Sequence, residues 1–186
     1  MEKPRNKVSY ALSEAAYQLM RERGIDGFTV EEVAERAGES TLAFGDYFSD
    51  LEEAAASFPL EKLARVYTEA EPARPGEPVL DLVYRLTQAQ FAAGLPEVLA
   101  ELRDLVVVNP SILPRLAINH AMLLRIGQDE TFRLAGPNAD RLKVNTVVGA
   151  FFGAFVATLS GDLGAVDVDP DEFVTQVYQM IKGHLR

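Results

Sequence analysis

The sequence predicts an all-α protein in which a three-helix head precedes a larger helical bundle. Apolar residues recur at the spacing of one helix face nearly everywhere along the 186-residue chain. The valines at 106–108 would suit a strand, but no partner strand pattern exists elsewhere. A proline- and glycine-rich segment at 71–76 interrupts the helical pattern and separates a short first part from a longer second part.

Capping residues mark out the three helices of the predicted head. The first helix ends at Gly24, after basic residues in its last turn. A capping box from Thr29 to Glu32 begins a short second helix, and Gly38 permits the tight turn that follows it. A third short helix ends near Phe48. The apolar stripe of the first helix consists of Val8, Leu12, Ala15, Ala16, Leu19 and Met20.

A longer fourth helix is predicted from Ser49 to about Ala70. Ser49 and Glu52 have the spacing of a second capping box, and Pro59 predicts a kink. Beyond the break at 71–76, apolar spacing predicts that the remainder is also helical. These further helices cover 79–93, 97–108, part of 110–135, 140–159 and 170–185.

Composition excludes several classes of protein. The chain has no cysteine, so neither a disulfide framework nor thiolate chemistry is available, which suits a reducing cytoplasm. The first residues lack the apolar region of a signal peptide. The most apolar run, 144–159, is shorter than the roughly 20 residues needed to span a bilayer. We therefore expect a cytoplasmic protein that has no membrane partner.

Motifs that carry enzyme chemistry are missing from the sequence. There is no Gly-x-Ser-x-Gly elbow, phosphate loop or metal-ligand cluster, and the two histidines are His120 and His184. The acidic run at 162–172 lacks the ligand spacing of a calcium loop, so capping of the last helix is the simpler account of it. We expect no catalytic residue, no metal and no cofactor.

Caps, core and turn residues of the head occur in one recognisable order. They are Gly24, Thr29, Val30, Val33, Ala34, Ala37, Gly38, Ser40, Phe44, Tyr47, Phe48 and Glu52. With these residues, the stretch from Ala11 to Ala54 resembles the N-terminal helix-turn-helix domain of TetR-family transcriptional regulators. The resemblance covers about a quarter of the chain.

The resemblance implies a division of function along the chain. Residues 1–54 would form the DNA-binding-type head, 55–76 a connecting helix and hinge, and 77–186 a domain that binds a ligand and dimerises. The residues that the resemblance places at the DNA are Thr29, Ser40, Thr41, Ala43, Asp46 and Tyr47.

The charge of the head opposes DNA binding. The chain carries a formal net charge of −10, from 18 basic and 28 acidic residues. Within residues 27–54, Arg36 is the one basic residue against eight acidic ones, a net charge of −7. Neutralisation of phosphates by Lys and Arg supplies most non-specific DNA affinity. The N-terminal arm adds Lys3, Arg5 and Lys7, which do not offset that charge.

The head also departs from the family's pattern where DNA would be touched. Glu39 replaces a hydrophobic residue, Gly45 replaces a tyrosine, Asp46 follows it, and Leu51 replaces a lysine that contacts phosphate. Each of these changes removes a hydrogen-bond donor or adds an anion.

Two interpretations of the acidic head stay open. In the first, Ser40, Thr41 and Tyr47 bind a DNA site through their hydroxyl groups, with weak affinity and help from dimerisation. In the second, the helix-turn-helix is a structural scaffold that no longer binds DNA. Acidic first turns also stabilise helices through the macrodipole, but this does not explain Glu39 or Asp46.

By the resemblance, the second part would bind a small, largely apolar effector between its helices. Asn119 and His120 form its most informative polar pair, although a satisfied core or surface histidine is the simpler interpretation of His120. Ordinary core packing is likewise the alternative for each apolar candidate. The candidate effector residues are Tyr84, Phe91, Asn119, His120, Leu123, Phe132, Phe151 and Phe155.

The segment 142–159 is apolar almost all round, so other helices or a second subunit must enclose it. Gly149 and Gly153 lie one turn apart and would let another helix approach, either within the chain or across a dimer. The resemblance implies that the last two helices, 140–160 and 170–185, form a four-helix dimer interface. The candidate interface residues are Val148, Gly149, Phe152, Gly153, Val156, Val174, Val177 and Met180.

The resemblance thus implies a homodimeric, ligand-responsive transcriptional regulator that would bind operator DNA as a dimer and act as a repressor. The alternative is a TetR-fold protein that no longer binds DNA. Such a protein would act as a ligand-binding co-regulator, a partner-binding module or an enzyme that uses the apolar pocket.

Overall fold

The computed structural model describes residues 6–108, 113–160 and 170–184. All regular secondary structure in these ranges is helical, which confirms the predicted fold class. The 106–108 valines end a helix, so the strand alternative is wrong. A 3-10 turn spans Ile25–Gly27, and the α-helices are α1 (Lys7–Arg23), α2 (Val30–Ala37), α3 (Thr41–Tyr47), α4 (Leu51–Glu69), α5 (Val79–Ala92), α6 (Leu95–Val108), α7 (Leu113–Ala135), α8 (Arg141–Ser160) and α9 (Pro170–His184).

The described residues fall into two compact units. The first unit takes its residues from Met1–Ala64 and Val98–Leu123, and the second from Arg65–Glu97 and Leu124–Arg186. Helices α4, α6 and α7 therefore contribute residues to both units. Within the ranges given above, no helix combines the length and the apolar character needed to cross a lipid bilayer.

A reciprocal cap fixes the start of α1. The Asn6 side-chain oxygen accepts the backbone N–H groups of Val8 and Ser9 at 2.9 and 3.1 Å, and the Ser9 hydroxyl oxygen accepts the Asn6 N–H at 2.9 Å. These N–H groups have no partner inside the helix, so the cap supplies one. At the other end, Gly24 has a φ of +77°, which glycine adopts without strain. The predicted end of the first helix at Gly24 is confirmed.

The predicted caps on both sides of the turn between α2 and α3 are also present. The Thr29 hydroxyl accepts the Glu32 N–H at 3.4 Å, and the Glu32 carboxylate accepts the Thr29 N–H at 3.0 Å. Gly38 adopts the left-handed conformation with φ +70°. Ser40 then caps α3 by accepting the Ala43 N–H at 3.0 Å. Local sequence therefore sets the geometry of this turn.

The cap of α4 lies one residue later than predicted. The Asp50 carboxylate accepts the Glu53 N–H at 2.7 Å, and the Glu53 carboxylate accepts the Ser49 N–H at 2.8 Å. The predicted pairing of Ser49 with Glu52 is therefore wrong by one position. An aspartate caps a helix as well as a serine does, so the sequence alone did not distinguish the two registers. The helix then continues through Pro59 without interruption.

The apolar face of α1 is at the centre of the core of the first unit. The stacked rings of Tyr17 on α1 and Phe58 on α4 have centroids 4.9 Å apart, and both side chains are buried. Burial of each large apolar side chain contributes roughly 1.5–3 kcal/mol. The predicted stripe of the first helix is confirmed for Leu12, Ala15, Ala16, Leu19 and Met20, which are all buried, and Val8 is partly buried.

A polar contact joins α1 to α6 within the same unit. The Tyr17 phenol donates a hydrogen bond to the Glu101 carboxylate, and the Arg21 guanidinium lies 3.2 Å from the other oxygen of that carboxylate. Burial, followed by the contact with Glu101, raises the pKa of Tyr17. The phenol therefore stays protonated and acts as a donor.

Helices α5, α8 and α9 enclose the core of the second unit. The rings of Tyr84 and Tyr178 have centroids 4.5 Å apart, and the Tyr178 hydroxyl donates to Asp81 at 2.7 Å. These contacts fix α9 against α5. Buried residues that pack together in this core include Leu80, Val83, Val144, Val147, Val148, Phe151, Val174 and Val177.

The segment before α5 is hydrogen-bonded to that helix through Arg85. The Arg85 guanidinium donates to the Glu77 carboxylate at 3.1 and 3.2 Å and to the carbonyl oxygens of Glu71 and Pro72 at 3.3 Å. The Glu77 side chain is only 10% exposed. Its hydrogen bonds from Arg85 hold the pKa of Glu77 below the ordinary value. The connector predicted at 71–76 therefore has fixed polar contacts at both ends.

Candidate functional site

Helix α3 presents one face to the core and the opposite face to solvent. Phe44 and Phe48 point inward and are 3% and 7% exposed. On the opposite side the residues follow the spacing i, i+1, i+4 and i+5 and therefore share one face. We call this surface the outer face of α3, and it consists of Thr41, Leu42, Gly45 and Asp46, all exposed.

Two of the predicted DNA-contacting residues, Thr41 and Asp46, lie on the outer face of α3. Ala43 is half-buried beside it. Sequence reasoning did not select Leu42 or Gly45, because neither side chain offers a hydrogen-bond donor or acceptor. The sequence did not show that these two residues are exposed, because their exposure depends on which residues of α3 pack inward.

The other three predicted DNA-contacting residues have structural hydrogen bonds. The Thr29 and Ser40 hydroxyls cap α2 and α3, as described above. The Tyr47 hydroxyl accepts a hydrogen bond from the Asn6 amide at 2.7 Å, which ties the residue preceding α1 to the end of α3. These hydroxyls therefore hold the head in shape.

The arginines of the helix-turn-helix are paired with carboxylates inside the head. The Arg36 guanidinium donates two hydrogen bonds to Glu22, at 2.7 and 2.9 Å, and Arg23 lies 2.6 Å from Glu32. The hydrogen bond from Arg36 lowers the pKa of Glu22, so the carboxylate stays ionised. Pairing of this kind reduces the positive charge that either arginine presents to a phosphate.

The N-terminal arm is only partly described. Lys7 begins α1 and is exposed. Lys3 and Arg5 lie outside the described residues.

Several acidic residues of the head have structural roles. Glu32, Asp50 and Glu53 take part in the helix caps described above. Glu31 and Glu35 are exposed on α2. Their negative charge is therefore directed to solvent and opposes the approach of a polyanion.

Five of the candidate effector residues belong to the second unit. Phe151 is buried, whereas Tyr84, Phe91, Phe132 and Phe155 are partly buried. The rings of Phe91 and Phe155 have centroids 5.5 Å apart, and the Tyr84 hydroxyl lies 3.0 Å from the Thr175 hydroxyl. This group combines aromatic surface with a few hydroxyl groups.

The other three candidate effector residues belong to the first unit. Leu123 is buried, and the Asn119 amide donates to the Ala56 carbonyl of α4 at 2.6 Å. Partial burial lowers the pKa of His120, which favours the neutral imidazole. By the resemblance, Asn119 and His120 would lie in the ligand-binding part, 77–186. The sequence did not show that α7 is divided between two units and that both residues belong to the first.

Two buried polar atoms of the second unit have no hydrogen-bond partner. Among the described residues these atoms are Thr131 Oγ1 and Asn145 Oδ1. The Thr131 hydroxyl lies beside the Tyr67 phenol but without the geometry of a hydrogen bond. The Tyr67 hydroxyl itself accepts from the Gln90 amide at 3.1 Å, and burial raises the pKa of Tyr67. Buried polar atoms without a partner are uncommon in folded proteins.

The candidate dimer residues divide between core and surface. Val148, Val174 and Val177 are buried in the core of their own unit, so these three predictions need correction: the side chains are not available to a second subunit. The apolar pattern of α8 runs all round the helix and therefore did not show which side faces inward.

The outer side of α8 and α9 carries the remaining candidates. Gly153 and Met180 are exposed, and Gly149, Phe152 and Val156 are partly buried. A Cβ added at Gly149 or Gly153 would meet no atom within 4 Å. Among the described residues, no helix of the same chain therefore packs closely on these two glycines, and the close packing expected within the chain is not observed.

The capped three-helix head and the helical units that follow it define an all-α helix-turn-helix protein. Residues 12–53 match the sequence model of the bacterial regulatory proteins of the tetR family. The chain is similar to a solved protein from Rhodococcus sp. that is assigned to the TetR-family transcriptional regulators, with a TM-score of 0.56 and 17% identity over 95% of this chain and 97% of that chain. No curated protein matches the chain.

Two further solved structures are also similar. A protein from Mesorhizobium loti MAFF303099 assigned to the same family gives a TM-score of 0.49 with 18% identity, over 99% of this chain and 98% of that chain. The fatty acid degradation regulator FadR from Bacillus halodurans gives a TM-score of 0.46 with 22% identity, over 99% of each chain.

The head of this chain thus matches the TetR-family helix-turn-helix pattern, and the chain has the fold of a solved protein assigned to that family. The resemblance stated from the sequence is confirmed, and its bounds of 11–54 nearly coincide with the matched residues 12–53.

Proposed function

We propose that the protein is a homodimeric, ligand-responsive repressor that acts in the cytoplasm and binds operator DNA through the outer face of α3. The observation that carries the proposal is this exposed face, held by caps at Thr29 and Ser40 within a TetR-type head. In helix-turn-helix proteins, the second helix of the motif enters the major groove and its N-terminal residues contact base edges. Thr41 and Leu42 occupy that position here.

The charge of the head determines how such binding would behave. With Arg23 and Arg36 paired to carboxylates, few guanidinium groups are left for phosphates. The log of the affinity falls with the log of the salt concentration by about 0.9 for each neutralised phosphate. We therefore expect weak non-specific binding and a shallow salt dependence, with base contacts contributing most of the discrimination.

Effector binding is supported by the second unit. Thr131 Oγ1 and Asn145 Oδ1 are buried without partners, and leaving such an atom unpaired costs about 1–3 kcal/mol. A bound molecule with an apolar body and a few polar atoms would satisfy them and pack against the aromatic candidates such as Phe91 and Phe155. If the molecule favours one arrangement of the paired heads, effector and DNA affinities are thermodynamically coupled.

Dimerisation is supported by the outer side of α8. Leu142 is 76% exposed, and the open surface at Gly149 and Gly153 would allow the backbone of a second α8 to approach. Burial of this surface in a twofold interface would remove apolar area from water. Phe152, Val156 and Met180 remain the candidate contacts at its border.

A second candidate function is a TetR-fold protein that no longer binds DNA. The net charge of −7 over residues 27–54 and the internally paired arginines favour it. Such a chain would keep the dimer and the effector site and act through a protein partner.

A fluorescence-anisotropy titration distinguishes the two functions. Wild type is titrated at low salt against duplex DNA from the region upstream of its own gene, beside Thr41→Asp on the outer face and Thr68→Asp, an exposed threonine of α4, as the control. We expect dimer-dependent binding by wild type and by Thr68→Asp, and loss of binding by Thr41→Asp. If wild type does not bind the DNA, the proposed repressor function is wrong and the second candidate function is favoured.

A further inference from the structure

The outer face of α3 is apolar at the position that enters a major groove first. Leu42 is the second residue of α3 and is 79% exposed, the highest value among the exposed large hydrophobic side chains in the described ranges. Phe44 and Phe48 hold the opposite face in the core, so Leu42 cannot turn inward without unpacking them. A leucine kept in water at this point has apolar surface available for a contact.

The space beside Leu42 is open. Gly45 lies one turn further on the same face, and a Cβ built on it would meet no atom within 4 Å. The leucine side chain is therefore not screened by a neighbour on that side. A small group such as a methyl can reach it from the direction of the groove.

The chemistry of the bases then limits what this face can recognise. Bidentate recognition of guanine requires Arg or Lys, and bidentate recognition of adenine requires Asn or Gln. Helix α3, with the sequence TLAFGDY, contains none of these four residue types. The apolar feature that a base presents in the major groove is the 5-methyl group of thymine.

We propose that Leu42 is a specificity-determining residue that recognises a thymine 5-methyl group in each half-site of the operator. This inference rests on the proposed DNA-binding function and adds the base that is recognised. A leucine–methyl contact needs no positive charge, so it is compatible with the acidic surface of the head. It also accounts for a recognition helix that has an exposed leucine where a donor would be expected.

The test begins with the full-length dimer and a pool of randomised DNA duplexes, selected at low salt. We expect the enriched sequence to contain a thymine at one fixed position of each half-site. Replacement of that thymine by deoxyuridine removes only the methyl group and leaves base pairing intact. Loss of one buried methyl weakens binding about fourfold, and loss of both in a palindromic site about fifteenfold.

The protein variants assign the effect to Leu42. In Leu42→Ala we expect weaker binding to the thymine duplex and equal affinity for the thymine and deoxyuridine duplexes. Ile118→Ala truncates another exposed side chain, 61% exposed on α7, and should keep the full preference for thymine. Circular dichroism and size-exclusion chromatography of each variant confirm that the fold and the dimer are unchanged.

Two results would overturn the inference, and they can be told apart. If a sequence is enriched but deoxyuridine binds as well as thymine, or if Leu42→Ala keeps the preference, the methyl contact is wrong and the DNA-binding function stands. If no duplex is enriched or bound at low salt, both the contact and the DNA-binding function are wrong.

Discussion

Buried polar side chains are bonded differently in the two units. In the first unit, Ser9 lies 3.0 Å from Glu61, Ser13 donates to the Tyr10 carbonyl at 3.0 Å, and Tyr17 donates to Glu101. In the second unit, Thr131 Oγ1 and Asn145 Oδ1 are buried without a partner. Among the described residues, the buried polar side-chain atoms of the first unit therefore find partners within the chain, whereas two such atoms of the second unit do not.

The same difference extends to charge. The head pairs Arg36 with Glu22 and Arg23 with Glu32, so these two arginines are directed at carboxylates of the head itself. A head whose arginines are paired internally has few cations left for the phosphates of DNA.

The contact between Tyr17 and Glu101 should be the most sensitive polar site of the first unit. Tyr17→Ala removes a ring that is 3% exposed and stacked on Phe58, and we expect a loss of about 3–5 kcal/mol in the free energy of unfolding. Tyr17→Phe keeps the ring and removes only the hydroxyl, with an expected loss of about 1–2 kcal/mol. Urea denaturation measures both. Equal losses in the two variants would show that packing is irrelevant here.

The ion pair of Glu77 and Arg85 tests whether other polar side chains of the second unit are stabilised by their partners. Its hydrogen bonds lower the pKa of Glu77 from an ordinary value of 4.5. A lowered folded-state pKa contributes stability that is present above the unfolded value and is lost as the pH falls through the folded value. At pH 7 we expect Glu77→Gln to be less stable by about 1–3 kcal/mol.

The difference between wild type and Glu77→Gln should shrink as the pH falls below about 4.5, because the wild-type carboxylate becomes protonated. Urea denaturation at pH 7 and at pH 4 and below measures it. Glu69→Gln is a suitable control, since the Glu69 side chain is 65% exposed. A difference that is independent of pH would contradict the ionic origin of the effect.

The pairing of Arg36 with Glu22 predicts a gain in DNA binding. Glu22→Gln weakens the hold on Arg36, which can then contact a phosphate. We expect higher affinity for duplex DNA at low salt and a salt dependence steeper by about one unit of slope. Anisotropy titrations at several salt concentrations measure both. The double variant Glu22→Gln with Arg36→Gln should lose the gain, and persistence of the gain would exclude a role of Arg36.

Thr131→Val should have the smallest effect on stability. The buried hydroxyl has no partner, so its replacement by a methyl of similar size removes an unpaired polar atom, and we expect the free energy of unfolding to rise by up to about 1 kcal/mol. Native mass spectrometry of the purified protein should show a retained small molecule on wild type and less of it on Thr131→Val. A loss of stability above 1 kcal/mol would show that the hydroxyl has a partner in the folded chain.

Much of the head was predictable from local sequence. Thr29, Gly38 and Ser40 fix their helix ends through bonds to residues within a few positions, so the caps and the turn could be identified from spacing alone. Spacing did not identify the cap of α4, because the neighbouring residues Ser49 and Asp50 cap a helix equally well and give two possible registers.

The rest of the site depended on tertiary contacts. Arg36 and Glu22 are 14 positions apart, and no local pattern predicts that they pair. The inward side of α8 was not predictable either, because an apolar helix gives no direction; Val148 was therefore assigned to a dimer surface although it is buried in the core. Exposure of Leu42 required knowledge of how Phe44 and Phe48 pack.

The open space outside Gly45 makes the DNA affinity of the head easy to change in evolution. Any glycine codon becomes an arginine codon by one nucleotide substitution, and a side chain at this position disturbs neither a backbone turn nor the core. One mutation can thus add a cation next to Leu42. If the head binds DNA as proposed, a lineage carrying it is a single mutation from stronger binding.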